Sequence, residues 1–178
     1  MKEDTTEYGV YDMCGEYVRW EKEYATNDMR ELSEAEQKDI SYLVDDKYVS
    51  FFTNPKSNCE GTTTGYLGSW NYPEIMEEFR QHVINATKAI YDYDLFSKKK
   101  NVWAEMREKY YDGKPYVFAE DMIEEHLKDF DNREIIAALH YCVVYKERYC
   151  DGICGYYAKE GYIGQLLLKL KELPLSLS

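Results

Sequence analysis

The sequence lacks any apolar run that approaches the roughly 20 residues needed for a membrane-spanning helix. Its first 30 residues are acidic and do not contain the apolar segment of a secretory signal peptide. We therefore expect a cytoplasmic protein that does not bind membranes and whose cysteines remain free thiols.

Cofactor and metal motifs are missing as well. No GxGxxG pattern and no glycine followed by Lys-Ser or Lys-Thr occurs, which disfavours a nucleotide-binding loop. Cys150 and Cys154 form one CxxxC pair, but there is no second close pair to complete a typical zinc site. We expect no metal and no cofactor.

A complete catalytic set is also lacking. None of the three histidines has a second histidine three or four residues away. The adjacent acids Glu77-Glu78 and Glu124-Glu125 do not face each other on a helix, so neither pair can act alone as an acid–base dyad. We therefore predict no catalytic residue, and an enzyme is the less favoured class.

The composition and charge limit the functional classes that remain. Hydrophobic residues make up 44% of the 178, enough for a real core. The net charge is −12, and residues 1–50 hold 6 Lys or Arg against 14 Asp or Glu. Such a field repels nucleic-acid phosphates, so we expect no direct nucleic-acid binding; it suits a basic protein partner, or simply solubility. Nineteen tyrosines exceed what a small core can bury, so several should lie on the surface.

Capping boxes and apolar spacing predict a mainly helical chain. Ser33 with Glu36 and Asp131 with Glu134 match the capping-box pattern. Apolar residues at helical spacing predict helices over 33–44, 73–91, 102–110 and 119–130. The apolar patch 48–52 fits a helix or a short strand, and 56–70 a loop or weak hairpin.

The C-terminal stretch 131–173 organises this prediction. It is typical of a helix, a shorter helix and a third helix, with breaks at Gly152, Gly155 and Gly161. Its two apolar helices must bury their stripes against each other or against a shared neighbour. The predicted fold is a mainly α, single compact multi-helix domain over 33–173 with at most a small β element. Residues 1–32 would be an acidic arm or edge element, and 174–178 a frayed tail.

Part of the sequence resembles a bacterial family catalogued as domain of unknown function 6508. The matching residues are Tyr149-Cys150-Asp151-Gly152 after Arg148, then Glu160-Gly161-Tyr162-Ile163 followed by Leu166 to Leu170. A looser match covers Gly68 to Tyr72, Phe79, and Ile90 to Phe96, so the resemblance spans about residues 45–173. Similar sequences carry a Trp soon after the position of Phe96, whereas here three lysines intervene. The resemblance implies one intact helical domain of bacterial or phage origin, and it implies no catalytic residue.

The residues around the first break of the C-terminal stretch are the candidate ligand-binding group. Arg148 can complement a helix C-terminus and Asp151 can cap the next helix; alternatively, Arg148 faces a groove as a ligand for an anion or carboxylate. An unrecognised enzyme or small-ligand binder would gather Arg148, Asp151, His140 and Trp70 around one cleft. Trp70 and Tyr72 are either core anchors for the preceding loop or an aromatic contact patch.

The favoured function from sequence is a non-catalytic acidic module that binds a protein, as an inhibitor or adaptor. One version is an acidic decoy that occupies the nucleic-acid site of a basic protein. Its predicted contacts are Glu3, Asp4, Glu7, Glu31, Glu34 and Glu36.

Overall fold

The computed structural model describes residues 33–63, 70–90 and 102–174, and most of these residues are helical. The α-helices are α1 (Glu34–Ser41), α2 (Asp46–Thr53), α3 (Glu74–Ile90), α4 (Val102–Tyr111), α5 (Ala119–His126), α6 (Asn132–His140), α7 (Ile153–Lys159) and α8 (Tyr162–Glu172). Short 3₁₀ turns cover Tyr42–Val44, Leu127–Asp129 and Lys146–Arg148, and a π-helical turn covers Tyr141–Tyr145. The predicted mainly α domain is confirmed. The predicted arm over 1–32 lies outside the described residues.

The β structure of the described residues is a minimal hairpin. Strand β1 (Thr62–Thr63) pairs antiparallel with β2 (Trp70–Asn71), with Thr63 opposite Trp70. The weak-hairpin alternative for residues 56–70 is therefore the correct one. The apolar patch 48–52 lies in helix α2, whose first turn is capped by the side chain of Asp45.

Both predicted capping boxes are confirmed. The Ser33 hydroxyl accepts from the Glu36 amide, and the Glu36 carboxylate accepts from the Ser33 amide at 2.8 Å. Asp131 and Glu134 exchange the same two bonds, each 2.9 Å long. Each box satisfies two backbone donors that a helix start leaves without an intrahelical partner.

Helix α6 does not continue as an α-helix to the break at Gly152. After His140 the backbone adopts the π-helical turn and then the 3₁₀ turn that ends at Arg148. The sequence-based prediction of one continuous helix missed this change, because an apolar stripe does not reveal a local change in helical repeat.

The C-terminal helices bury their apolar stripes as predicted. Ile163, Leu166, Leu167 and Leu170 are almost fully buried, and α8 packs against α2, α6 and α7. Gly161 adopts the left-handed conformation (φ 89°) between α7 and α8, as a helix-ending glycine does. Within the described ranges, no helix has the length and apolar character needed to cross a bilayer.

Gly155 corrects one prediction. It does not break a helix but lies inside α7, where a Cβ atom would stand 2.5 Å from the Cys59 carbonyl oxygen. Gly164 in α8 approaches the Phe52 carbonyl oxygen equally closely. These two glycines let the last turn of α2 and the segment that links α2 to the hairpin lie directly on the C-terminal helices.

Candidate functional site

Glu147 forms the polar centre of the corner between the 3₁₀ turn and α7. Its carboxylate accepts from the backbone amides of Gly152 and Cys154, both at 2.9 Å. Gly152 has φ 90°, a left-handed conformation that turns the first amides of α7 back toward this carboxylate. Glu147 therefore supplies the negative charge and the acceptors that the start of a helix attracts.

Tyr72 ties the hairpin to the same corner. Its hydroxyl donates to Glu147 Oε1 at 2.9 Å and accepts from the Gly155 amide at 3.1 Å. Burial raises the pKa of the Tyr72 hydroxyl, so the group remains a donor at neutral pH. The corner is thus closed by a side chain that lies 75 residues before Glu147 in the sequence.

The Trp70 indole ring packs against two glycines, Gly61 and Gly152. A Cβ atom on Gly152 would lie 3.1 Å from the ring, and one on Gly61 would overlap it. The indole N–H is buried without a hydrogen-bond partner. These contacts favour the anchor interpretation of Trp70 and Tyr72 over an aromatic contact patch.

Three of the four free cysteines among the described residues are buried. Cys59, Cys142 and Cys154 are buried free thiols, and burial raises the pKa of each. Cys150 is also free but exposed. In residues 33–63, 70–90 and 102–174, no three or more His, Cys, Asp or Glu side chains are grouped to hold a metal ion.

A cleft of about 470 Å³ opens between α3 and the helical segment from His140 to Arg148. We name it the cationic cleft, and its lining residues are Arg80, Ile84, Thr87, Lys88, His140, Val144 and Arg148. Three of these side chains carry a permanent positive charge, and His140 can gain one. Ile84 and Val144 give the cleft an apolar wall.

Among the described residues, no Asp or Glu forms an ion pair with Arg80, Lys88 or Arg148. The Arg148 guanidinium lies 6.0 Å from the ring centroid of Tyr145, a cation–π contact.

The π-helical turn lies between His140 and Arg148. In a regular α-helix, a residue eight positions on lies about 80° round the axis, so the two side chains would diverge. His140, Val144 and Arg148 nevertheless all line one cleft, beside and within the π-helical turn. Such turns are frequent at functional sites.

The sequence-based group of ligand-binding candidates divides between two places. Arg148 and His140 line the cationic cleft, whereas Trp70 and Tyr72 belong to the corner. The predicted cap of the following helix by Asp151 is wrong: that residue is exposed and Glu147 provides the cap.

Sequence reasoning missed Glu147, Arg80 and Lys88. The last two lie at helical intervals with Ile84 and Thr87 beside the buried stripe of α3, a pattern that fits a solvent-exposed flank equally well. Glu147 has no comparable signal, because its partners lie across a backbone turn and in a distant hairpin.

Only two of the six predicted acidic contacts, Glu34 and Glu36, lie among the described residues. Glu34 is exposed in the first turn of α1, and the Glu36 carboxylate is engaged in the capping box. Glu3, Asp4, Glu7 and Glu31 lie outside the described residues.

Comparisons of the chain with protein-family models, curated proteins and solved structures found no match. The resemblance to domain of unknown function 6508 therefore stays a prediction.

Proposed function

We propose that this domain is a binding protein for a small organic anion, which it holds in the cationic cleft. The observation that carries the proposal is the meeting of Arg80, Lys88, Arg148 and His140 around an apolar wall, in a chain whose net charge is −12. Long-range attraction cannot draw an anion to such a chain, so local side chains must provide the affinity.

The chemistry of the lining supports binding rather than catalysis. Arginine guanidinium groups bind carboxylates and phosphates through paired hydrogen bonds. The hydroxyl of Thr87 donates to the Val83 carbonyl at 2.6 Å, so it is already engaged and does not serve as a nucleophile. The cleft volume of about 470 Å³ falls in the range of small-molecule sites.

The test is isothermal titration calorimetry with octanoate, benzoate and phenyl phosphate on wild type, Arg80→Gln and Arg148→Gln. We expect each substitution to weaken binding roughly 10-fold or more, because each removes a charged hydrogen-bond donor. Lys128→Gln, on an exposed 3₁₀ turn, makes the same change of charge elsewhere and should leave affinity unchanged. Equal affinity in all four proteins, or no binding of any of these anions to wild type, contradicts the proposal.

We also propose a second function, the docking of a basic segment of a partner protein on a different surface. Tyr116, Phe118, Glu120 and Tyr156 define the tyrosine–glutamate surface. Phe118 is 54% exposed, and its ring centroid lies 5.1 Å from that of Tyr116. Tyr156 lies close enough to Glu120 that burial and this carboxylate both raise its pKa.

A cationic occupant fits this surface for two reasons. The Lys146 ammonium already lies 5.6 Å from the Tyr116 ring centroid, so one ring binds a cation of its own chain. The first turn of α5 adds the acids Glu120 and Asp121 beside Phe118. Exposed aromatic rings with adjacent carboxylates suit the arginine and lysine side chains of a peptide.

Fluorescence anisotropy with labelled arginine-rich and glutamate-rich peptides tests this second function. We expect binding of the arginine-rich peptide alone, weakened by salt and by Phe118→Ala. Leu168→Ala removes an exposed apolar side chain from α8 and serves as the control. Binding of both peptides, or equal affinity in the two variants, rejects a docking role for this surface.

A further inference from the structure

One ring of the tyrosine–glutamate surface already contacts a cation of its own chain. The Lys146 ammonium lies 5.6 Å from the ring centroid of Tyr116. An aromatic ring attracts a positive charge within roughly 6 Å of its centroid, so this contact is a cation–π interaction. The folded chain therefore supplies the Tyr116 ring with a primary ammonium group before any partner arrives.

Phe118 is the ring that a partner meets without such a competitor. Its side chain is 54% exposed, and its ring plane stands at 76° to that of Tyr116. Among residues 33–63, 70–90 and 102–174, no lysine or arginine lies over the Phe118 ring. Glu120 and the exposed Asp121 follow it in the first turn of α5. The open part of the surface is thus a phenyl ring beside carboxylates.

The charge around the neighbouring Tyr156 also favours a cation. Burial and then the carboxylates of Glu120, Glu160 and Glu124 raise the pKa of Tyr156, so three acids lie near its ring. These acids attract any basic side chain, whereas the ring contact depends on the shape of the cation.

Arginine and lysine differ in what they gain from a phenyl ring beside carboxylates. A guanidinium is planar and weakly hydrated, so it can stack on the ring while its edge donates two parallel hydrogen bonds to one carboxylate. An ammonium is a compact, strongly hydrated point charge, and it must lose water to contact the ring. The open part of the surface therefore fits a guanidinium better.

The Tyr116 ring does not offset this disadvantage for a lysine. Lys146 and Tyr116 belong to one folded chain, so their contact forms at an effective concentration of roughly millimolar or more. A partner lysine that displaces Lys146 replaces one ammonium by another and loses translational and rotational freedom as it binds.

We infer that the tyrosine–glutamate surface selects arginine over lysine in the segment that docks on it. The guanidinium stacks on Phe118 beside Glu120 and Asp121, while Lys146 keeps the Tyr116 ring from a partner lysine. This inference rests on the second proposed function, since it specifies which basic side chain docks.

The experiment is fluorescence anisotropy with two labelled peptides of equal length and charge, one with arginine and one with lysine at every basic position. We expect wild type to bind the arginine peptide roughly fivefold or more tightly. Phe118→Leu keeps an apolar side chain but removes the ring, and it should abolish most of this preference. Far-ultraviolet circular dichroism should show that the variants are folded.

A second variant tests the part played by Lys146. Lys146→Gln frees the Tyr116 ring, so the lysine peptide should gain affinity severalfold while the arginine peptide, already stacked on Phe118, gains less. Lys128→Gln makes the same change of charge on a 3₁₀ turn elsewhere and should leave the ratio of the two affinities unchanged.

The possible results separate this inference from the proposed function. If wild type binds both peptides equally and Phe118→Ala weakens both, the selection of arginine is overturned and the docking function stands. If neither peptide binds wild type, both are overturned. A full arginine preference in Phe118→Leu rejects stacking on that ring. A lysine peptide that gains no more from Lys146→Gln than from Lys128→Gln rejects the competition by Lys146.

Discussion

At the scale of single residues, close backbone contacts with a distant segment explain why two positions in the C-terminal helices are occupied by glycine. An alanine normally stabilises a helix interior relative to glycine by about 1 kcal/mol. At Gly155 the added methyl group would meet the Cys59 carbonyl oxygen at 2.5 Å and the Tyr72 ring at 3.2 Å. The steric cost should therefore outweigh the gain in helix propensity.

We predict that Gly155→Ala lowers the free energy of unfolding by about 1–3 kcal/mol, as overpacking of a filled site does. Urea unfolding followed by circular dichroism measures the change. Ser50→Ala, at an exposed position of helix α2, should be neutral or slightly stabilising. A stabilised Gly155→Ala protein would show that the hairpin segment does not lie on α7.

Glu147 is the second decisive single residue, because one carboxylate serves three donors. Glu147→Gln keeps the shape but removes the charge and one acceptor, so we predict a loss of about 1.5–3 kcal/mol in the free energy of unfolding. Glu60→Gln, exposed in the segment before β1, is the matched control. Equal unfolding midpoints in urea for the two variants would rule out a structural role for the corner.

The sequence identified some site residues and missed others for physical reasons. Arg148 could be proposed because it stands near a glycine break in a strong apolar pattern, and His140 was grouped with it only in the hypothesis of one shared cleft. Arg80 and Lys88 could not, because a cation on the flank of an amphipathic helix has the same pattern whether it meets solvent or a facing wall. Only the packing of α3 on the opposite segment separates these cases.

At the scale of elements, local signals predicted helix starts well and changes of helical repeat poorly. A capping box depends on residues within a stretch of four, so the helix starts at Ser33 and Asp131 could be predicted from the sequence. No comparable local sequence pattern predicts the π-helical turn at Tyr141–Tyr145. Its Tyr141 ring stacks on Trp103 at 4.2 Å, a tertiary contact that an isolated stretch does not reveal.

The cap of α6 gives a prediction at this scale. Asp131→Ala should cost about 1 kcal/mol of unfolding free energy, because it leaves the Glu134 amide without its acceptor. Asp129→Ala, two residues earlier and exposed, should cost much less. Thermal unfolding followed by circular dichroism gives the comparison; equal midpoints would argue against the capping box as a source of stability.

At the scale of the whole molecule, several tyrosines should make the free energy of unfolding decrease as the pH rises in the alkaline range. Burial and then the Glu134 carboxylate raise the pKa of Tyr110 to about 12, and the pKa values of Tyr72 and Tyr157 are raised as well, chiefly by burial. An unfolded tyrosine ionises near pH 10. Above that pH the native state holds more protons than the unfolded state, so stability falls as pH rises.

We predict that the free energy of unfolding is constant with respect to these tyrosines below pH 10 and declines between pH 10 and 12. Tyr110→Phe should show a shallower decline, because one group with a raised pKa is gone. Tyr149→Phe alters a side chain that is 62% exposed and should retain the wild-type slope. Urea unfolding at successive pH values supplies the slopes, and parallel curves for wild type and Tyr110→Phe would contradict the linkage.

The close backbone contacts at Gly155 and Gly164 should affect the folding rate. Each joins chain positions about a hundred residues apart, Cys59 with Gly155 and Phe52 with Gly164. Closing loops of this size costs entropy before any contact is gained, and such non-local closure slows folding. The last helices should therefore pack onto the rest late, after the middle of the chain has collapsed. A substitution that destabilises either glycine contact should mainly increase the unfolding rate and change the refolding rate little.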